Sequence, residues 1–445
     1  MMLPDGRPSL LKRIGVSVGL SIWFLLVYGA SLAITAGRAS VPSFYFGWET
    51  SIPFVAGTII PYLSIDLFFV TAPLLTKSHH ALRRYALRVS VAIAIAGLCF
   101  LLLPLRFAFD RPAVPGAIGF VFQQFQRADL PFNQFPSLHI ALLLIVGDVF
   151  VRSTRGPLRI GLLIWFAVIA VSPALVFQHH VIDLVGGVAL GLICLTLVDD
   201  RNHTPFERNT GIAVCYLAVT IVIGGACGWI GRASWPLWWV VLSFAVASLG
   251  YFVLGPRIYA KSDGRLSVAS RLLLWPMMAG QVASHRWYAR RARPYDQLTD
   301  RLWIGRWLND REAIAARDAG VGAVIDLTCE FTEPALFRSL NYLHLPTLDL
   351  NAPTQAQLAE AVAFIQKHEM DTIVYVHCKA GYSRTAAIAA AYLLETGRAS
   401  TVDDAIQQLR AVRPTMVVRS EVRRVLDRFS ASISAQQESS ISKFV

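Results

Sequence analysis

Apolar positions along this chain follow two rhythms, and the change between them divides it. Up to residue 254 they come in long runs, at about 14–36, 53–75, 87–104, 138–152, 158–177, 181–198, 210–230 and 235–254. About 20 predominantly apolar residues carry a helix across a hydrocarbon core, so the pattern predicts about eight crossings. The fourth and sixth runs are short or interrupted by polar residues. The first follows Lys12 and Arg13, exceeds a signal-peptide core and lacks a cleavage site, so it reads as a retained helix. From about residue 295 the apolar runs shorten to strand length, at Trp303-Ile304-Gly305, Ala323–Leu327, Tyr342–Leu345 and Ile373–Val376. Helical patterns alternate with them at about 310–319, 355–367, 385–396, 401–412 and 419–430, which makes an α/β domain large enough for one core. Between the two regions, Leu266 to Ser284 is apolar but holds Arg271 and Pro276, and it leads into Arg286-Trp287-Tyr288-Ala289-Arg290-Arg291. Basic residues beside Trp and Tyr suit an interfacial helix. The expected organisation is a multi-pass α-helical membrane domain (1–254), a basic interfacial linker (255–294), a soluble α/β domain (295–430) and a disordered Ser- and Gln-rich tail (431–445).

Composition agrees with this division and adds an orientation. The chain is 55% hydrophobic and only 16% charged, with a net charge of +12. One set of loops carries twelve basic residues: Arg7, Lys12, Arg13, Lys77, Arg83, Arg84, Arg88, Arg152, Arg155, Arg159, Arg201 and Arg208. The other carries five: Arg38, Arg106, Arg111, Arg127 and Arg232. The asymmetry puts the N-terminus and the α/β domain in the cytoplasm of a plasma or inner membrane. The positive charge is then accounted for by topology and anionic lipid, and no basic run has the spacing of a nucleic-acid motif. Cys99, Cys194, Cys215 and Cys227 lie in apolar segments and Cys329 and Cys378 in the soluble part, with neither a disulfide framework nor metal spacing.

The chemistry concentrates at Val376-His377-Cys378-Lys379-Ala380-Gly381-Tyr382-Ser383-Arg384-Thr385. A cysteine, five residues and an arginine between a strand and a helix form a loop whose amides converge on one point, which suits a phosphate dianion. The same positive field favours the Cys378 thiolate, and Arg384 can grip two phosphate oxygens as a fork. The loop resembles that of cysteine-dependent protein tyrosine and dual-specificity phosphatases, over about 295–429. Cys378-Lys379-Ala380-Gly381 with Ser383-Arg384 is most like the mitochondrial phosphatidylglycerophosphate phosphatases. The resemblance implies that Cys378 attacks phosphorus and that Asp349, about 30 residues upstream in Pro346–Thr354, is the general acid. It further implies that Thr385 supports the departing thiolate and that His377, Lys379, Ala380, Gly381, Tyr382 and Ser383 bind substrate. Lys379 adds charge to the floor, favouring an anionic phospholipid over a phosphoprotein; neither chemistry in the chain requires a cofactor or metal.

A second constellation lies in the apolar half: Phe135-Pro136-Ser137-Leu138-His139 opens the fourth run, and His179-His180-Val181-Ile182-Asp183 opens the sixth. Histidine and aspartate at membrane depth are costly and point to function. A helical spacing of four lets Asp183 hold one ring nitrogen of His179 and leave the other as nucleophile. These motifs resemble the type 2 phosphatidic acid phosphatase superfamily over about 50–200, in its inositol phosphorylceramide synthase branch. That implies His179 as nucleophile, Asp183 as its orienter, His139 as acid, and Ser137 and Arg111 as phosphate ligands. The chain departs from the superfamily at Pro104, where a lysine is usual, and at Ser172-Pro173, where Ser-Arg is usual. The expected protein is therefore a fusion of a membrane lipid phosphatase or phosphotransferase with a cytoplasmic cysteine phosphatase. The alternatives are a signalling phosphatase on phosphoproteins, with the helices as anchor or sensor, and a transporter or scaffold with vestigial histidines.

Overall fold

The computed structural model describes residues 6–198 and 205–442. Arg201 of the charge count and residues 443–445 of the expected tail lie outside them. The chain forms two compact units, Met1–Asn202 and His203–Val445. Five helical segments among the described residues are long and apolar enough to cross a membrane: Leu10–Ala36, Ala56–Leu75, His79–Leu102, Gly156–Leu175 and Thr210–Tyr259.

The first unit contains α1 (Leu10–Ala36), α2 (Ile59–Thr71), α3 (His79–Leu102), α4 (Gly116–Ala128), α5 (Leu138–Ser153), α6 (Gly156–Leu175) and α7 (Val181–Leu197). Its interior is built by Leu20, Phe69, Tyr85, Ile93, Phe100, Leu142, Ile145 and Leu190. The short runs expected at 138–152 and 181–198 are α5 and α7, which pack side by side. At Gly187 a Cβ would run into the backbone of Ser137 and the side chain of Ile140, and at Gly191 into Leu144. Small residues four apart let the two backbones approach.

The second unit begins with α8 (Thr210–Ile230) and α9 (Trp238–Leu249), which fold back on each other as a hairpin. Ser248 Oγ donates to Ala213 O at 2.9 Å near the open end, and Ser234 Oγ donates to Cys227 O at 2.9 Å near the turn. The segment expected as one interfacial helix breaks at Leu274 into α10 (Val268–Leu273) and α11 (Trp275–Ala289), with Pro276 in the first turn of the latter. It does not stand apart as a strap. Trp239 Nε1 donates to Leu273 O and Met277 N to Ser243 Oγ, at 3.2 and 3.3 Å, so α11 starts against α9.

The α/β part has five strands: β1 (Tyr295–Thr299), β2 (Leu302–Arg306), β3 (Val321–Asp326), β4 (Asn341–His344) and β5 (Ile373–Cys378). Their order is β1-β2-β5-β3-β4, parallel except for the edge strand β1. That strand was not foreseen, because Tyr-Asp-Gln-Leu-Thr has little apolar content. The helices are α12 (Asp310–Asp318), α13 (Ala335–Arg338), α14 (Gln355–His368), α15 (Ser383–Glu395), α16 (Val402–Val412) and α17 (Ser420–Ser442). α15 is buried along almost its whole length, and its alanines allow close packing on the sheet.

Two expected boundaries move. The hairpin assigned to the membrane domain belongs to the second unit, which starts near 203 rather than 255. The tail expected to be disordered after Ser430 continues α17 to Ser442. The apolar stripe Val422, Leu426, Phe429 extends one turn to Ile433, which packs on the same core.

Candidate active site

β5 is the central strand, so its C-terminal end delivers Cys378 to the middle of the sheet edge, where parallel α/β folds place ligands. The loop from Cys378 to Ser383 then turns into α15. Its carbonyls are tied outward one by one. Cys378 O accepts from Trp307 N at 2.7 Å, Lys379 O from His285 Nδ1 at 3.0 Å, and Gly381 O from Arg413 Nε at 3.1 Å. Gly381 has φ 70°, and a Cβ there would sit inside the backbone of Gly305 and Arg306, so no other residue fits. With carbonyls committed outward, amides face the centre, and those of Tyr382 and Thr385 bond the Cys378 sulfur. Burial alone would push that thiol up, but the Arg384 charge and the Thr385 and Tyr382 bonds outweigh it and lower its pKa. Thr385 Oγ1 also lies 3.4 Å from Gly305 O, so its hydroxyl sits between backbone and sulfur.

Arg384 is clamped rather than free. Glu330 grips it at both ends (Nη2 to Oε1 2.6 Å, Nη1 to Oε2 3.2 Å), and Thr347 O accepts from Nη1 at 2.8 Å. Nη2 also donates to Asp349 Oδ1 at 3.1 Å, while Lys379 Nζ bonds Asp349 Oδ2. Asp349 therefore occupies the two cations a phosphate would use. Burial alone raises its pKa, but Arg384 and then Lys379 outweigh this and hold it below the usual carboxylate value. Glu330 is fully buried whereas the Asp349 side chain is 19% exposed, so of the two carboxylates Asp349 is the more readily displaced from Arg384.

The structure brings Cys378, Lys379, Ala380, Gly381, Tyr382, Ser383, Arg384, Thr385 and Asp349 together. Ser383 Oγ is buried without a partner, and Tyr382 stacks edge-on against Tyr288 of α11 at 5.2 Å. His377 departs from expectation. Its imidazole is wholly buried 3.2 Å from Glu333, so it lies beneath the loop and does not line the pocket. Burial would lower its pKa, but Glu333 and Asp326 raise it. Asp326 in turn pairs with the ammonium of Lys261 at 2.5 Å. Asp326, Glu333 and His377 offer ligand atoms within 4.8 Å of one another. Lys261 pairs with Asp326, and the raised pKa of His377 beside Glu333 and Asp326 favours its charged form there, beneath β5. Glu330, Glu333, Arg413, His285 and Lys261 escaped the sequence reading. The carboxylate-rich run Thr328–Glu333 after β3 hinted at Glu330 and Glu333 alone.

In the first unit the expected histidine residues flank the starts of α5 and α7. His179 Nδ1 is 3.7 Å from Asp183 Oδ2, an ion-pair distance too long for a hydrogen bond. Asp183 Oδ2 accepts instead from the amide of His180, the N-cap residue of α7, at 2.9 Å, closing a capping box. His180 is used on both sides, donating from Nδ1 to Glu49 Oε2 at 3.0 Å and accepting at Nε2 from Ala108 N at 3.1 Å. His179 keeps Nδ1 unpartnered, and so do Ser137 Oγ, His139 Nε2 and Arg111 Nη2, all buried. His139 stacks on Tyr62 with ring centroids 4.5 Å apart, and Arg111 Nε donates to Phe177 O at 3.0 Å. Asp129, unforeseen, accepts from Tyr28 and Gln178 at 2.8 Å each. Asp66 is exposed on α2.

Comparison with known proteins bears on the second unit. Residues 302–431 match the family model for the dual specificity phosphatase catalytic domain. Phosphatidylglycerophosphate phosphatase PTPMT2 of Arabidopsis thaliana is 29% identical over 181 residues, which is 39% of this chain and 78% of that protein. Phosphatidylglycerophosphatase and protein-tyrosine phosphatase 1 of Mus musculus is 30% identical over 184 residues, 37% of this chain and 88% of that protein. Dual specificity protein phosphatase 12 of Rattus norvegicus is 33% identical over 118 residues, 25% of this chain and 34% of that protein. The family match does not extend to the histidine-bearing unit.

Proposed function

The chain belongs, through its C-terminal domain, to the dual-specificity phosphatase family, and from that premise we propose that it is a membrane-bound phosphomonoesterase whose substrate is a phospholipid. Two of the relatives are named for phosphatidylglycerophosphate, and an alkyl phosphate of that kind is the substrate class we assign. The observation that carries the lipid reading is the hydrogen bonding of the Asp349 loop to the open end of an apolar helix hairpin, Tyr251 Oη donating to Asp349 O at 2.7 Å. With the hairpin in a bilayer, the catalytic loop meets phosphates at the surface of that bilayer.

The geometry supports a two-step reaction. Phosphate enters on Arg384, Lys379 and the loop amides, releasing Asp349 from both cations, so that its pKa rises and it takes up a proton. Cys378 sulfur attacks phosphorus; the S–P bond forms, the ester P–O bond breaks, and Asp349 delivers its proton to the leaving oxygen. Asp349, now a carboxylate, removes a proton from water as that water attacks the thiophosphate. The S–P bond breaks, and Thr385 Oγ1 hydrogen-bonds the departing thiolate. The test is turnover of full-length protein in nanodiscs on phosphatidylglycerophosphate against phosphopeptides. Preference for the peptides would overturn the lipid assignment.

We further propose that the first unit holds a second, histidine-dependent phosphotransfer site. Buried, unpartnered atoms of Arg111, Ser137, His139 and His179 support it, since such groups are costly without a ligand. His180 has both ring nitrogens committed, which favours His179 as nucleophile. In a Cys378→Ser background an acid-labile phosphoenzyme should form and disappear with His179→Ala. If it persists there, or no such species forms, the unit is an anchor or sensor.

A further inference from the structure

The loop that carries Asp349 is fixed less by the α/β domain than by the helix hairpin. Three consecutive residues are bonded to the hairpin's open end. Asp349 O accepts from Tyr251 Oη at 2.7 Å, Leu350 O accepts from Asn209 Nδ2 at 3.3 Å, and Asn351 Nδ2 donates to Glu207 O at 2.5 Å. The donors are themselves held. Tyr251 is 2% exposed, lies in the π turn Gly250–Leu254 that ends the helix, and stacks on Tyr216 of α8 at 5.5 Å. Asn209 caps α8, its Oδ1 accepting from Ile212 N at 3.1 Å, and its own amide donates to Tyr251 O at 3.4 Å. One side chain therefore serves both as helix cap and as loop clamp. Leu350 adopts φ 63°, a left-handed conformation unfavourable for a leucine. A loop in that conformation needs outside restraint, and the described bonds to its two carbonyls come from the hairpin.

We propose that the α8–α9 hairpin is a working part of the phosphatase, with Tyr251 and Asn209 as positioning residues that hold Asp349 at the height from which it protonates the leaving oxygen. This rests on the reading of Asp349 as general acid. The described hairpin bonds go to Asp349, Leu350 and Asn351 and not to Lys379 or Arg384, so its contribution is made through Asp349. An alkyl leaving group, as in a phospholipid, needs that proton; an activated aryl leaving group such as para-nitrophenolate departs without it. Positioning is thereby separable from docking. Contacts that merely fasten the domain would, when cut, lower both reactions together.

The experiment uses the full chain in nanodiscs, with phosphatidylglycerophosphate and para-nitrophenyl phosphate as paired substrates. Tyr251→Phe and Asn209→Ala are each expected to lower kcat/KM on the lipid, which reports the steps up to cleavage of the ester P–O bond and not the later hydrolysis of the thiophosphate, by at least about tenfold, as for partial loss of a general acid, with kcat/KM on the aryl substrate changed by no more than about twofold. KM for the lipid should hold, and the fall of lipid kcat at high pH should flatten. Asp349→Asn is the reference. If it depresses kcat/KM on both substrates equally, the general-acid reading itself fails. If Asp349→Asn shows the selective loss while Tyr251→Phe and Asn209→Ala lower both substrates alike, or neither, the hairpin's role is overturned. The rate of Cys378 alkylation by iodoacetate, which depends on the thiolate and not on Asp349, should be unchanged in Tyr251→Phe; a matching collapse of alkylation would likewise count against positioning.

Discussion

At the scale of single residues, the site is a contest of charges around Arg384. Glu330 and Asp349 both bind it, but only Asp349 is exposed enough to yield to a phosphate. Cys378→Ser should abolish turnover, because a serine hydroxyl is not ionised by this loop, and Asp349→Asn should slow lipid hydrolysis by a factor on the order of 10². Lys379 gives a sharper test. Its charge, after that of Arg384, depresses the Asp349 pKa against the opposing effect of burial. An acid with a depressed pKa loses its proton early, so activity requiring that proton declines early as pH rises. Removing Lys379 relaxes the depression. In Lys379→Ala the high-pH limb of kcat/KM, which reports the free enzyme in which Lys379 still holds Asp349, should move upward, while binding of the dianion weakens. An unmoved limb, measured on the lipid substrate, would show that Lys379 does not act through Asp349.

At the scale of elements, the phosphate loop is shaped by what holds its carbonyls. Arg413, in the link after α16, is 2% exposed and joins Asp296 of β1 at 2.6 Å to the carbonyls of Gly381 and Ala380 at 3.1 and 3.4 Å. The unforeseen edge strand thus has a use, since it carries the counter-ion. Arg413→Ala leaves the buried Asp296 with only the exposed Arg293, at 2.8 Å, as counter-ion, so the cost should fall below the roughly 3–5 kcal/mol of a fully broken buried pair. We expect a lower Tm for the α/β part and slower alkylation of Cys378. Arg413→Lys retains charge but not the fork, and should recover part of the Tm with little of the alkylation rate. Full recovery of both would show that charge alone matters.

At the scale of the whole molecule, apolar helices in both units surround the topology question. The excess of basic residues, twelve against five, favours the N-terminus inside. With the eight crossings expected from the apolar runs the α/β domain would lie on the same side; five segments among the described residues are long and apolar enough to span. A reporter fused after residue 256 or at the C-terminus should be cytoplasmic, and one near Ala128 external. An external C-terminus would mean that the α10–α11 segment crosses the bilayer. It would also expose the Cys378 thiolate to an oxidising compartment, where such a nucleophile is ill suited.

Local pattern alone disclosed the long apolar helices, the alternation of strands and helices after 295, and the loop from Cys378 to Thr385. Each of these follows from neighbours in sequence: periodicity fixes which face is buried, and a cysteine and an arginine six apart between a strand and a helix mark an anion-binding loop before its distant supports are known. The spacing of Asp349 was legible only through family resemblance, and its pairing with Lys379 and Arg384 only in the fold. Glu330 was marked only by the carboxylates after β3, and Arg413, His285, Lys261 and the hairpin residues Tyr251 and Asn209 were not legible at all. Their roles depend on contacts across 30 to 140 residues, as from Asn209 to Leu350 or Arg413 to Gly381. No local period encodes such a meeting, because a buried cation or hydroxyl finds its partner only after the core has packed. The same holds for His377, which sequence adjacency assigned to the pocket and strand alternation sent to the opposite side, onto Glu333.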